Sequence, residues 1–383
     1  MKVESIITKR TGSYYHHSAI FHFRKEHIKE KIWFKSPILY SKSADPADSF
    51  FIVAYTLSLA LNENLMFDGV VSEKLLKTIP HIKKYVGCPK NNIKVKTKGL
   101  LKRKIVGKKT GLIFTLGTDS FHALLCSNKI NSDKRKFDCL VFIDGIEIEK
   151  VSKKAYRKIH KRIESVAKET KTKAIFLETN IRSVSDKIIH WELFHGAALA
   201  ANGLLLSGVL RKIYISGCDD YMYYFPWGTG VKIDRMWSTE ALSFFSADPT
   251  LFRHDKMRNI SKSANKELFL ENLWVCWKAD LKNDIKNCSK CEKCLRTHLL
   301  LSVYGLKSPI RLFKRIDIKD LRKVNIPKGF EPSWNKIHKL LKKNPKINPE
   351  ITKAVEHIIK KKRRKDMIKK LLPEFMHQRL VLI

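Results

Sequence analysis

Two short stretches of this 383-residue chain hold the residue types and spacings that chemistry needs. The first is Cys288-x-x-Cys291-x-x-Cys294, with Cys276 upstream, which gathers four thiols into one region. Gaps of two residues let successive thiolates turn toward one ion, and four thiolates complete a tetrahedral zinc site. Three cysteines in such tight spacing also suit an iron–sulfur cluster that keeps one iron open. The second stretch is Phe114-Thr115-Leu116-Gly117-Thr118-Asp119-Ser120, a glycine among hydroxyls and one carboxylate. Where a strand meets a helix, free backbone N–H groups carry partial positive charge, and a glycine lets an anion approach them. Asp119 there would hold a magnesium ion between phosphates or fix the loop. Without its context, Gly117–Ser120 is an ordinary turn in which Thr118 or Asp119 caps the helix.

The elements around that loop supply the context. Leu112–Leu116 reads as a strand, followed by a helix over about 119–127. Leu140–Ile143 is a second strand and 150–169 a Lys/Glu-rich helix; Ala174–Leu177 is a third strand. Trp191–Leu205 is a helix whose run Gly196-Ala197-Ala198-Leu199-Ala200-Ala201 permits close packing, and Lys212–Ser216 is a fourth strand. Strands alternating with helices at this spacing predict an α/β fold, a parallel sheet with helices on both faces. In such a sheet ligands bind at the carboxyl ends of the strands.

The flanking regions differ in pattern. Residues 1–105 read as a small α+β unit with strands near Ile20–Phe23 and Ile32–Phe34. A helix follows from about Pro46 to Leu61, capped by Asp45, then a turn at Asp68-Gly69 and a helix from Ser72 toward Tyr85. A Lys-rich segment then leads into the nucleotide-binding unit, residues 106–260. A cysteine-bearing region, 261–310, and a basic helical tail, 311–383, complete the chain. The tail is expected to consist of short helices broken by Pro309, Pro327, Pro332, Pro345 and Pro349.

The loop Thr115–Ser120 resembles the Ser-Gly-Gly-x-Asp-Ser pyrophosphate loop of the PP-loop ATP pyrophosphatases, which cleave ATP to AMP and pyrophosphate. Gly117, Asp119 and Ser120 match that pattern; Thr115 stands for the serine and Leu116 for the first glycine. A cysteine followed by Cys-x-x-Cys-x-x-Cys, carboxyl-terminal to such a domain, looks like the zinc site of the 7-cyano-7-deazaguanine synthase family. In synthase-like relatives the Cys291–Thr297 run and the segment Pro226-Trp227-Gly228 find counterparts. The resemblance covers residues 110–305 and, more loosely, 40–90. It implies an ATP- and Mg²⁺-dependent ligase that adenylates a carboxylate of a small molecule or deazapurine-like base, after which ammonia or another nucleophile attacks. Thr115, Gly117, Thr118, Asp119 and Ser120 would then bind the nucleotide, with Asp119 and Ser120 catalytic. The ends of the second and third strands, Asp144 and Asn180, would hold its adenosine, and Cys276, Cys288, Cys291 and Cys294 would bind Zn²⁺.

Between the fourth strand and the cysteines, aromatic residues, glycines and paired charges crowd together, as a flat substrate would require. Asp219 and Trp227 are the substrate candidates there, and Arg253 and Lys256 are candidates for a substrate carboxylate or the polyphosphate. The competing reading is a hydrophobic cover over the sheet with the tryptophans as core, and Arg253 and Lys256 as exposed charges.

Composition bounds the remaining classes. Lysine and arginine number 76 against 37 acids, a formal charge of +39, while 44% of the residues are hydrophobic. So much apolar material excludes a disordered basic tail protein. No run approaches the about 18 apolar residues of a membrane span, and Met1-Lys2-Val3-Glu4-Ser5 lacks the apolar core of a secretory signal. These features predict a cytoplasmic protein without a membrane partner. The charge keeps tRNA as an alternative substrate, with thiolation or amination of a base. The six consecutive cations Lys360–Lys365 add to it, yet no aromatics are interleaved there for base stacking. A degenerate loop in a nucleotide-sensing or partner-binding module is the non-enzymatic alternative.

Overall fold

The computed structural model describes residues 1–25, 27–41, 44–126, 136–146, 152–217, 226–276, 287–307, 312–344 and 346–371. Its centre is a ten-stranded, mostly parallel sheet in the order β10-β9-β6-β7-β8-β3-β2-β1-β4-β5. The strands are β1 (Lys2–Thr11), β2 (Tyr14–Phe23), β3 (Ile28–Pro37), β4 (Leu65–Ser72) and β5 (Val95–Leu101). They continue with β6 (Lys109–Ile113), β7 (Cys139–Asp144), β8 (Lys173–Thr179), β9 (Leu210–Ser216) and β10 (Ser243–Ala247). β7 is buried along its whole length, as the apolar run Cys-Leu-Val-Phe-Ile requires of a strand covered on both faces. The helix Lys153–Glu169 buries Ala155, Ile159, Ile163 and Val166, a stripe at three- and four-residue spacing, and Ser152 caps it by accepting the Leu-free first-turn amide of Ala155.

One core lies on each face of the sheet. The first holds the nearly all-buried helices Ala47–Leu61 and Trp191–Leu204, and the second the cysteine region and the carboxyl-terminal helices. The expected boundary near residue 105 falls between β5 and β6. The strands on its two sides nevertheless join one sheet, because β3 pairs antiparallel with β8 through Phe34–Thr179 and Lys35–Glu178. Arg103, in the crossing segment, is held by Asp48 and Asp45, each at 2.7 Å.

Several local expectations differ from the structure. Asp68-Gly69 is no turn: it lies inside β4, where the register with β5 shifts between Phe67 and Val70. Both β1 and β10 go beyond the sequence reading, and the Lys-rich segment near residue 100 contains β5. Asp45 does accept from the Ala47 amide at 2.9 Å, as a residue entering that helix should. In the tail, Pro332 sits in the first turn of Glu331–Lys342 and Pro349 opens a helix of 23 residues ending at Leu371. A proline in a first turn removes an N–H that had no partner, so it starts these helices rather than breaking them. Pro309 and Pro345 lie outside the described residues. No helix among the described residues is long and apolar enough to cross a membrane.

Candidate functional site

At the carboxyl ends of β6 and β9 lies a cavity of about 340 Å³. Its floor is the loop after β6, including Thr115, Gly117, Thr118, Asp119 and Ser120. β6 ends at Ile113, and the helix Thr118–Cys126 begins when the Phe121 amide bonds the Gly117 carbonyl at 3.0 Å. Between them Leu116 has φ of +60°, the left-handed conformation that a glycine adopts without strain. Its side chain is fully buried in the second core, and its carbonyl accepts the Trp274 amide at 2.9 Å. Leucine thus occupies a glycine-like backbone position because burial and that hydrogen bond hold it there.

The hydroxyls divide by role. Ser120 donates to the Gly117 carbonyl at 3.0 Å and so fixes the turn. The hydroxyl of Thr118 is buried without a hydrogen-bond partner, as are Oδ1 of Asp119 and the hydroxyl of Ser216. The two hydroxyls leave capacity for an incoming ligand.

Asp119 sits in a cationic nest. Its Oδ2 is 2.5 Å from Nη2 of Arg253, and its Oδ1 is 3.6 Å from Nζ of Lys256. Burial by itself would raise the Asp119 carboxyl, but Arg253, Lys256 and Lys293 outweigh it and hold the group well below the carboxylate range. Arg253 and Lys256 are one turn apart on the helix Arg253–Ser261, and Lys256 also donates to the Gly217 carbonyl at the end of β9. His122 reinforces this junction. It meets Asp248 at 2.9 Å and Asn259 at 3.2 Å, tying the loop's helix to the one that carries Arg253.

The opposite wall is aromatic. Trp227 stands edge-on to His195 at 5.3 Å, and Arg182 lies over Trp191 at 4.6 Å. His195 meets the Thr229 hydroxyl at 3.0 Å, and burial pushes its pKa down to about 4, so its ring is neutral. The Pro226-Trp227-Gly228 segment reaches this position because Gly196 lets it. A Cβ on residue 196 would sit 1.7 Å from the Gly228 carbonyl oxygen.

The third wall comes from the cysteine region. Glu292, Lys293, Arg296 and Thr297 line the cavity from the first turns of the helix Glu292–Val303. Glu292 is held by Arg296 at 2.7 Å and by the Trp334 indole at 2.9 Å. At the start of that helix, the sulfurs of Cys276, Cys288, Cys291 and Cys294 all lie within 4.8 Å of one another, so the cluster can hold a metal ion such as zinc. Cys288 and Cys294 are 3.8 Å apart. Four ligands at the Zn–S distance of about 2.3 Å on a tetrahedron would be about 3.8 Å apart. The Cys291 amide donates to the Cys288 sulfur at 3.3 Å. Asn287 clamps the two halves of the site by accepting from the Val275 and Cys276 amides and donating to the Leu273 carbonyl.

The structure therefore brings Thr115, Gly117, Thr118, Asp119, Ser120, Trp227 and Arg253 around one cavity, with Lys256 behind Asp119. Asp144 and Asn180 are engaged elsewhere. Asp144 is pushed up by burial, partly offset by His160, which bonds it at 3.0 Å. Asn180 spends its amide on β3, accepting from the Trp33 amide and donating to the Lys31 carbonyl, both at 2.8 Å. Asp219 lies outside the described residues. Arg182, Trp191, His195, Lys293 and Arg296 are wall residues that the sequence reading did not single out. For two of them a signal existed: Lys293 and Arg296, three apart in the Cys-Glu-Lys-Cys-Leu-Arg-Thr run, share one helix face.

Comparison of the chain with family models, with curated proteins and with solved structures gave no match.

Proposed function

We propose that the protein is an ATP-dependent ligase of the PP-loop type, which adenylates the carboxylate of a small molecule and releases pyrophosphate. The supporting observation is the cavity itself. A helix-start loop with an unpartnered buried hydroxyl and a cation-bound carboxylate faces buried and half-buried cations at the strand ends, where an α/β sheet binds its ligands. In this reading a substrate carboxylate oxygen attacks the α-phosphorus, and the bond to the bridging oxygen breaks. Its electrons leave on pyrophosphate. Charge gathers on that leaving group, and the loop amides, Thr118, Arg253 and Lys293 are placed to stabilise it. Asp119 orients Arg253 and Lys256 rather than acting alone. Ammonia or another nucleophile then attacks the acyl carbon, and AMP departs.

Magnesium bound to the nucleotide would neutralise phosphate charge. The flat part of the substrate, a deazapurine-like base in the family this chain resembles, would lie against Trp227, His195 and Trp191. Four thiolate ligands in a closed tetrahedral set suit Zn²⁺ as a structural ion.

The test is ATP–pyrophosphate exchange by the full chain across a panel of candidate carboxylates. Asp119→Ala is expected to lower exchange at least about 100-fold while zinc content stays intact, and Asp119→Asn to do the same with less disturbance of the buried cations. Exchange that survives both changes removes Asp119 from the reaction.

A further inference from the structure

The first three strands carry a second surface that the cavity does not use. Their inward face supplies Phe21, Phe23, Ile32 and Phe34 to the first core. Their other face follows from the register. His16 stands opposite Lys35, Ser18 opposite Trp33, Ile20 opposite Lys31, and His22 opposite Lys29. On the neighbouring strand Lys9 is opposite His16 and Lys2 opposite His22. Trp33, Tyr14 and Ile20 belong to neither core. His16 stacks on Trp33 with centroids 5.4 Å apart, and Lys35 lies over the Tyr14 ring at 4.5 Å. Burial lowers the His16 pKa, helped by Lys31 and Lys35 and opposed by Glu178.

Two acids share this face, and both are paired: Glu4 with Lys2 and His22, and Glu178 with Lys35. Among the described residues, Lys9, Lys29 and Lys31 remain exposed cations without an acid of this face beside them. Rings that offer π-faces, fixed on a sheet and alternating with lysines, match a chain of bases joined by phosphates. The cleft between the tail helix and Lys328, lined by Lys361 and Lys365, has charge but no ring. Charge there would attract phosphate without holding a base.

We infer that the open face of β1–β3 binds single-stranded RNA, with Trp33, His16 and Tyr14 stacking bases and Lys9, Lys29 and Lys31 meeting phosphates. RNA loops present splayed, unpaired bases, and a face with three rings has room for two or three of them. Trp33 is a rigid platform because its own amide and carbonyl are tied to Asn180 and Thr179 at 2.8 Å. The inference stands on the sheet alone and holds whether or not the cavity takes ATP.

The experiment is fluorescence anisotropy of the full chain with a labelled 12-nucleotide single-stranded RNA, over a range of salt. The same RNA as a duplex and the same sequence as DNA are the comparison probes. We expect the single strand to bind more tightly than either. Trp33→Ala should weaken it about tenfold, the stacking of one base, and Trp33→Phe should restore most of that. The combined variant Lys9→Ala, Lys29→Ala, Lys31→Ala should make the log–log salt slope about 2 shallower. Lys361→Ala with Lys365→Ala should leave affinity unchanged. Equal binding of duplex or DNA overturns the assignment to single-stranded RNA. Binding lost only in the tail variant, or a dimer in solution that Trp33→Ala dissolves, overturns the assignment of this face.

Discussion

The cysteine cluster and the loop after β6 lie side by side, yet they treat their polar groups differently. Around the cluster the backbone is satisfied: Asn287 takes up two amides and a carbonyl, and Ser289 accepts the Lys314 amide at 2.9 Å. Around the loop, Thr118 and Ser216 keep buried hydroxyls without hydrogen-bond partners; each region holds one left-handed non-glycine residue, Leu116 in the loop and Ser289 in the cluster. A region that completes its own bonding is built to stay as it is. One that leaves buried hydroxyls unbonded is arranged for something to arrive. The two are joined, since the helix that starts at the cluster supplies Lys293 and Arg296 to the cavity. The cluster is thus the support and the loop the working part.

The largest effect should come from removing the support. Structural zinc contributes on the order of 10 kcal/mol to the folding of small sites. Stripping metal with a chelator, or Cys288→Ser, should therefore lower the melting temperature by more than about 10 °C and abolish exchange with it. Calorimetry together with metal analysis checks this. A metal-free protein that melts with the parent while losing activity would move the cluster from support to working part.

A smaller effect separates the walls of the cavity. Asp234 accepts from the Gly230 amide at 3.1 Å and from the Ser246 hydroxyl, and so braces the turn that carries Thr229. Burial raises its pKa to about 7, against the lowering by Ser246 and Gly230. The unfolded carboxyl ionises near 4, so between about pH 4 and 7 the folded chain holds the extra proton. Stability then falls as pH rises through that window and levels above it. Asp234→Asn keeps an acceptor for Gly230, offers Ser246 a donor and does not titrate. It should flatten the profile and exceed the parent at pH 8 by on the order of 2 kcal/mol in urea denaturation. Parallel profiles of the two proteins would mean that the Asp234 carboxyl ionises alike in the folded and unfolded chain.

The sequence made the supporting layers far more legible than the walls. β7 and the helix Lys153–Glu169 announce themselves by uninterrupted apolar residues and by a four-residue stripe. β10 does not, because Ser-Phe-Phe-Ser-Ala is short and half polar, and β1 does not, because most of its residues are exposed. The fusion of residues 1–105 to the central sheet rests on the β3–β8 pairing, more than 140 residues apart in the chain. No local pattern encodes such a pairing. The four cysteines and the loop were legible because each lies within a short span. Arg182, Trp191 and His195 were not, because they become wall residues only when two helices meet the end of β6.

The smallest effect tests the strain at the loop most directly. Leu116→Ala should destabilise the protein by about 3 kcal/mol, since it empties a packed site. Leu116→Gly removes still more side chain, and elsewhere glycine is worse than alanine by about 0.5–1 kcal/mol because it orders a freer backbone. At φ of +60° the balance reverses. An alanine there keeps a left-handed cost of about 1–2 kcal/mol that a glycine does not carry. Leu116→Gly should therefore be the more stable of the two variants by about 0.5–1 kcal/mol, measured by urea denaturation at matched m-values. The usual order, alanine above glycine, would show that the loop relaxes to negative φ once the leucine is gone. The strain would then come from leucine packing rather than from the loop. Retention of exchange in Leu116→Gly alone would tie the left-handed turn to the working part of the site.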